Sequence, residues 1–219
     1  YALVFVNQGG TVLSYNTALV KPKDVPKSMR DLLDPKWKGK MIASDPTASG
    51  PGRATFTWLY KSLGPEYIRA LGKQKIVFTR DRRSQADQIA RGAYPLGIAV
   101  SNVDAKPFID AGAPLQMVWH VKEGSYASAS YGGLALVNKA PHPNAAKVYI
   151  NWVLGKEGQT LLADAAGWVS RRRDVPAIDS TMELQPGVDY LPIYYEDSIF
   201  VYKTKPYMKL MKEAFGIGR

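Results

Sequence analysis

Apolar positions along the chain fall into short runs separated by charged or turn-forming residues, with no run near the roughly 18 consecutive apolar residues that a membrane helix needs. Tyr1 to Tyr15 reads as two β-rich runs broken by Gly9-Gly10, a strand pair or a strand and hinge. From Lys21 to Lys40 the prolines at 22, 26 and 35 punctuate a connector with a short helical piece over Ser28 to Leu33, capped by Ser28. From Met41 the pattern alternates. It predicts strands over 41–43, 75–79, 96–100 and 115–121, and helices over 52–63, 65–71, 84–91 and 105–111. Short apolar strands alternating with helices indicate an α/β layered domain with a largely parallel sheet.

Beyond this segment comes a small-residue stretch, Glu123 to Gly133, then an apolar strand over 134–138 that reads as a crossing strand. Helices follow over 144–154, 156–166 and 206–215, with a loop-rich section over 167–202. The segments flanking the α/β domain supply few strands for a second one, which implies an incomplete second lobe.

Composition narrows the chemistry. The chain of 219 residues has no cysteine, which excludes disulfides, thiolate nucleophiles and Cys-based zinc sites. Its two histidines, His120 and His142, are not in HxxxH or HExxH spacing, which argues against a zinc hydrolase. His142, in APHPN ahead of a helix, reads as a surface cap. The motifs GxSxG, GxxxxGK[ST] and GxGxxG are absent, and Asp45 and Asp81 are carboxylates that no motif orients. An enzyme is therefore not expected. The opening YALVFV lacks the basic start and cleavage site of a leader peptide, so any leader is expected to lie outside this sequence.

Net charge is +10, and 17 basic against 9 acidic residues between Lys21 and Gln116 place +8 of it in the α/β segment. Such a field attracts anionic solutes, acidic membranes or nucleic acid alike.

Several phrases resemble the extracellular solute-binding proteins of ABC importers, in the branch similar to ferric-iron-binding proteins. They are VLSYNTALVKP (12–22), DLLDPKWKGKM (31–41), DPTASGPG (45–52), GAYPLGIAVS (92–101), GGLALVNKAPHPNAAKVYINWVLGKEGQ (132–159) and SRRRDVP (170–176). The resemblance implies a two-lobe α/β periplasmic-binding-protein-like fold of type II. One lobe would be complete and the other partial, because the usual N-terminal part of lobe one has no counterpart here. Residues 1–14 would be a crossing strand and partial lobe one, 15–122 lobe two, and 123–219 the return crossing and C-terminal part of lobe one.

The implied role is that of a monomeric, non-enzymatic carrier without a cofactor. It would hold a small anionic solute between its lobes and deliver it to an ABC permease, in the periplasm or tethered outside the membrane. The alternatives are a ligand-sensing domain of a regulatory protein and a ferric-iron binder with non-standard ligands. No nucleic-acid partner is expected, since the basic residues form no recognised motif.

Candidate ligand contacts follow from both readings. Ser44 to Gly52 follows a strand and opens a helix, where free N–H groups and glycines suit an anion; Thr47, Ala48, Ser49 and Gly50 are the contacts the resemblance implies. Arg83 and Ser84, with Arg82, stand where a loop enters a helix, and a guanidinium binds carboxylate or phosphate bidentately. Ser101 and Asn102 occupy the place where iron binders of the family carry adjacent tyrosines; Asn102-Val103 has no phenolate and points away from direct iron coordination. The pair Tyr194-Tyr195 lies elsewhere and reads as packing or surface. Tyr126, Ser130 and Tyr131 are placed near the cleft floor, to stack on ligand or pack the hinge. Arg171, in an Arg171 to Arg173 cluster, would lie near the cleft mouth, and Gly9, Gly10 and Thr11 near the first crossing.

Overall fold

The computed structural model describes residues 2–4, 10–128, 133–193 and 205–217. Strand β1 (Ala2–Val4) opens the chain and β2 (Leu13–Asn16) follows, the latter leading into 3-10 turns at Pro22–Asp24, Met29–Leu33 and Pro35–Trp37. Ser28 caps the second of these turns with a reciprocal capping box to Asp31. Then come β3 (Met41–Ser44), α1 (Pro51–Gly72), β4 (Val77–Thr79), α2 (Arg82–Ala90), β5 (Leu96–Ile98), α3 (Asn102–Asp110) and β6 (Leu115–Val118). The remainder comprises β7 (Ser125–Ser128), β8 (Gly133–Ala135), α4 (Pro143–Leu154), α5 (Lys156–Ala166), a 3-10 turn Ser180–Met182, β9 (Tyr190–Ile193) and α6 (Lys205–Phe215).

The central sheet has the order β4-β3-β5-β2-β6. Strand β3 runs parallel to both β4 and β5. Strand β2 is inserted antiparallel between β5 and β6, with Ser14 opposite Gly97 on one side and Met117 on the other. β2 begins at Leu13, so the α/β unit starts slightly before the boundary expected at residue 15. Two two-stranded pairs lie outside it, β1 with β8 antiparallel and β7 with β9 parallel.

Several boundaries differ from the pattern-based ones for backbone reasons. β5 stops at Ile98 rather than 100 because Ala99 takes a left-handed conformation (φ 57), and β4 starts after Lys75 (φ 54). The two helices expected over 52–63 and 65–71 are both present within α1, meeting at Gly64, whose backbone (φ 81, ψ 173) is not helical and is followed by Pro65. α2 and α3 start earlier than expected because Asp81 and Ser101 cap them by accepting from the backbone N–H of Ser84 and Asp104. β9 escaped the pattern because Pro192 interrupts it, yet a proline is tolerated in a strand with a free edge.

The core explains the assembly. Leu13, Met41, Phe56, Leu59, Leu96 and Ile98 are fully buried, and Tyr207 and Met211 of α6 join them. Phe215 lies edge-on to Phe56 at 5.4 Å and against Phe78 at 4.8 Å. Helix α6, expected with the C-terminal part of lobe one, is thereby part of the α/β body. Its backbone approaches so closely that a Cβ on Gly72 would lie 2.2 Å from the Ala214 carbonyl oxygen. Helices α4 and α5 pack on each other and leave Val148, Tyr149, Trp152 and Leu161 exposed. His142 occupies the N-cap position of α4, but its side chain makes no capping hydrogen bond, contrary to the surface-cap expectation.

Candidate functional site

Three parallel strands end on the same edge of the sheet, and each hands the chain to a helix. The register sets Ser44 beside Thr79 and Ala43 beside Ile98, so the loops entering α1, α2 and α3 are neighbours. All three helix N-termini therefore open on one edge, the place where unpaired N–H groups and the positive ends of helix dipoles favour an anion.

The first loop is held from beneath. Asp45 is buried; its Oδ1 accepts from the Thr47 N–H at 2.7 Å and from the Thr47 hydroxyl at 2.6 Å. Arg80, from the second loop, donates its Nε–H to Asp45 Oδ2 at 2.8 Å. Burial disfavours the charged carboxylate, but the bonds from Thr47 and Arg80 outweigh it and hold the Asp45 carboxyl below its ordinary value. Asp45 is thus an anchor with its oxygens engaged, where sequence alone gave it no orientation. Gly52 permits the tight turn: a Cβ there would lie 2.5 Å from the Asp45 carbonyl oxygen and 2.7 Å from that of Ser44. Gly50 takes φ 113 at the N-cap of α1, where no side chain bonds to the helix terminus.

The second and third loops are joined by Arg82, whose Nε is 3.4 Å from Asp104 Oδ2. Underneath, Gln85 is fully buried and donates through Nε2 to the Ile98 carbonyl at 2.9 Å, while the Ser44 hydroxyl lies 2.7 Å from its Oε1. This amide ties β3, α2 and β5 together below the edge. It was missed because its only signal is a polar residue on the helical stripe shared by Ala86 and Ile89.

The predicted contacts divide. Thr47, Ala48, Ser49, Gly50, Ser84, Ser101 and Asn102 are brought to this edge, Ser49 exposed and Thr47 buried. Arg83 is at the edge too, its guanidinium over the Phe108 ring at 6.0 Å. Ser84 accepts from Gln88 Nε2 at 3.1 Å, and Asn102 donates through Nδ2 to the Gly167 carbonyl at 3.0 Å. Tyr126 does not line the edge. It is 1% exposed, its hydroxyl lies 3.2 Å from the Thr55 hydroxyl, and its ring packs on Gly10 and Trp58. Of its two expected roles, packing is the one that its position fits.

Thr11 is buried beside Gly10. Arg171 is exposed on a separate loop, braced by its neighbour Arg172, which grips Asp174 with two bonds of 2.9 Å and the Leu154 carbonyl at 3.1 Å. Gly9, Ser130, Tyr131 and the pair Tyr194-Tyr195 lie outside the described residues. Among the described residues no group of three or more His, Asp or Glu side chains could hold a metal ion, and no helix is long and apolar enough to cross a membrane.

A mixed sheet with one inserted antiparallel strand and helix N-termini gathered on one edge, accompanied by two outlying strand pairs and the α4–α5 pair, make up a mixed α/β fold of the periplasmic-binding-protein type. Residues 2–190 match the model of the bacterial extracellular solute-binding protein family, and the chain belongs to that family. It is 27% identical over 169 residues to an Fe(3+)-binding periplasmic protein of Serratia marcescens. Among solved structures it resembles the periplasmic binding protein AfuA of Actinobacillus pleuropneumoniae, with fructose-6-phosphate bound. That match has a TM-score of 0.71 at 23% identity and covers 99% of this chain and 69% of that one. It also resembles iron-bound HitA of Pseudomonas aeruginosa, with a TM-score of 0.71 at 17% identity, covering 97% and 69%. The Serratia match covers 69% of this chain. The chain spans under half the length of the curated relatives it matches, 46% of that protein and 40% of one from Haemophilus influenzae. The type II fold and its partial second lobe accord with these coverages.

Proposed function

We propose that this chain is the larger part of a periplasmic solute carrier of an ABC importer, and that the edge formed by the α1, α2 and α3 N-termini holds the anionic group of a small solute. The observation that carries the reading is the uncapped start of α1, set beside the Arg80 to Arg83 loop. In this arrangement Ser49 and Gly50 present the helix terminus, Arg83 supplies a cation, and the Asp45–Thr47–Arg80 cluster keeps the first loop in place. Residues 13–118 with α6 form one lobe; β1, β8, α4 and α5 belong to the other. Solute bridging the two would stabilise a closed form, and the monomeric carrier would present that form to the permease.

A ferric-iron cargo has less support. At the position of the family's tyrosine pair, Val103 offers no donor and Asn102 directs its amide to Gly167. The phosphorylated sugar in the AfuA structure agrees better with an edge made of helix N-termini and arginines.

The test is calorimetric titration with inorganic phosphate and with fructose 6-phosphate. Ser49→Asp places a negative charge on the helix terminus and should weaken binding at least tenfold, and Arg83→Glu should do the same. Binding of both probes at unchanged affinity in both variants would remove the site.

A further inference from the structure

A cavity of about 190 Å³ lies between the outer face of α3, the edge strand β6 and the segment that follows α5. Its inner wall is apolar and buried: Leu115 is 5% exposed, Met182 7% and Trp119 8%. Met117 completes that wall, and Ile109 and Ile178, which are 37% and 54% exposed, form its lip. The exposed part of the lining is mixed, with Asp110, Gln116 and Asp179 beside the two isoleucines, and the buried part is apolar.

Of the polar side chains around the cavity, Lys106, Asp110, Asn102 and Asp179 already have partners, while Gln116 is exposed to solvent. Lys106 donates to Asp110 at 2.7 Å. Asn102 donates to the Gly167 carbonyl at 3.0 Å, and Asp179 accepts from the backbone and hydroxyl of Thr181 at 2.8 and 2.7 Å. A charged ligand would have to displace one of these bonds and lose its own hydration in an apolar pocket. A neutral apolar one would only remove hydrocarbon from water. The volume is close to that of cavities of about 150 Å³, lined by aliphatic and aromatic side chains, that take up benzene.

We infer that this cavity is a second binding site, for a neutral apolar molecule of about one aromatic ring, held edge-on to Trp119 between Met117 and Met182. Sulfur and indole contacts with an aromatic ring suit that geometry. The walls come from two parts of the chain, the α/β body and the Gly167 to Met182 segment. An occupant therefore clamps that segment to β6, where Trp119, Val169 and Met182 already pack together. The site adjoins the anion edge at Asn102, the residue the two have in common.

Fluorobenzene, followed by ¹⁹F NMR on the whole 219-residue chain, tests it. Saturable one-to-one binding is expected, and it should slow hydrogen exchange over 167–182. At ten times its dissociation constant, fluorobenzene should raise the melting temperature by about 3–6 °C. Met182→Trp fills the pocket and should abolish binding; should that variant fail to fold, Ile109→Trp closes the lip from the surface and should weaken binding at least tenfold. Benzoate should bind at least tenfold more weakly than fluorobenzene. Non-saturable uptake, or binding that survives in the folded variants, would overturn the site; equal affinity for benzoate would overturn its neutral specificity.

Discussion

The central sheet and the α4–α5 pair are built from comparable amounts of apolar sequence, yet they bury it differently. In the sheet Leu13, Met41, Ile42, Leu96 and Ile98 are at 0% exposure, as is Phe56 of α1, and α1 and α6 pack against that core. In the pair Val148 is 70% exposed, Tyr149 56%, Leu161 51% and Trp152 42%, and Val137 just after β8 is 72%. An apolar helix face needs something to cover it, and clusters of this kind on a water-exposed surface mark contact sites. The sheet closes its own core; the pair leaves apolar side chains exposed. The same contrast is visible in the matches, where solved relatives contain a further third of chain beyond what aligns here.

Mutations should separate the two regions cleanly. The largest effect belongs to the sheet: Phe56→Ala removes the ring that meets Phe78 and Phe215 and should cost about 3–5 kcal/mol in urea unfolding. A loss below about 1 kcal/mol would mean that this core is not the stable unit. The next effect is acid sensitivity. The Asp45 carboxyl titrates lower in the folded chain than its ordinary 3.8, so its contribution is complete above that value and fades as pH falls through the lowered one. Arg80→Ala should flatten this part of the stability profile below pH 3.8, and an unchanged slope would show that Thr47 alone holds the carboxylate. The smallest effect is expected on α4, where Val148→Ala should change stability by no more than about 0.5 kcal/mol. A loss of 2 kcal/mol or more there would show that the face is covered in solution and would erase the contrast.

Much of this was legible in the sequence. The alternation from Met41 onward located β3 to β6 and α1 to α3 to within a few residues, because each apolar run is short and bounded by a turn former; it did not include β2, whose antiparallel insertion departs from the largely parallel sheet expected. What failed was set by single backbone conformations, such as Ala99 and Lys75 in the left-handed region, which no periodicity encodes. The candidate edge was partly legible. DPTASGPG announces a helix start, and the two arginines announce a cationic loop. The Arg80 to Asp45 bond and the Ser44 to Gln85 bond join residues 35 and 41 positions apart, and only the fold brings them together. Tyr126 shows the opposite case: an aromatic residue near a crossing looks like a ligand platform until Gly10 is seen to leave room for its ring.

The insertion of β2 between β5 and β6 also sets a timetable. Ser14 reaches its partner Gly97 across 83 positions, and β6 comes later still. A chain emerging from its N-terminus therefore carries β2 unpaired until nearly the whole sheet has been made. Pairings of such range close slowly, because the loop entropy is lost before any contact is gained. Folding of this sheet should accordingly be a late, single event rather than a progressive one. Meanwhile strand LSYN and the residues before it are open to wrong partners, and a chaperone that shields residues 10–20 should raise the yield of the folded protein more than one that shields α4.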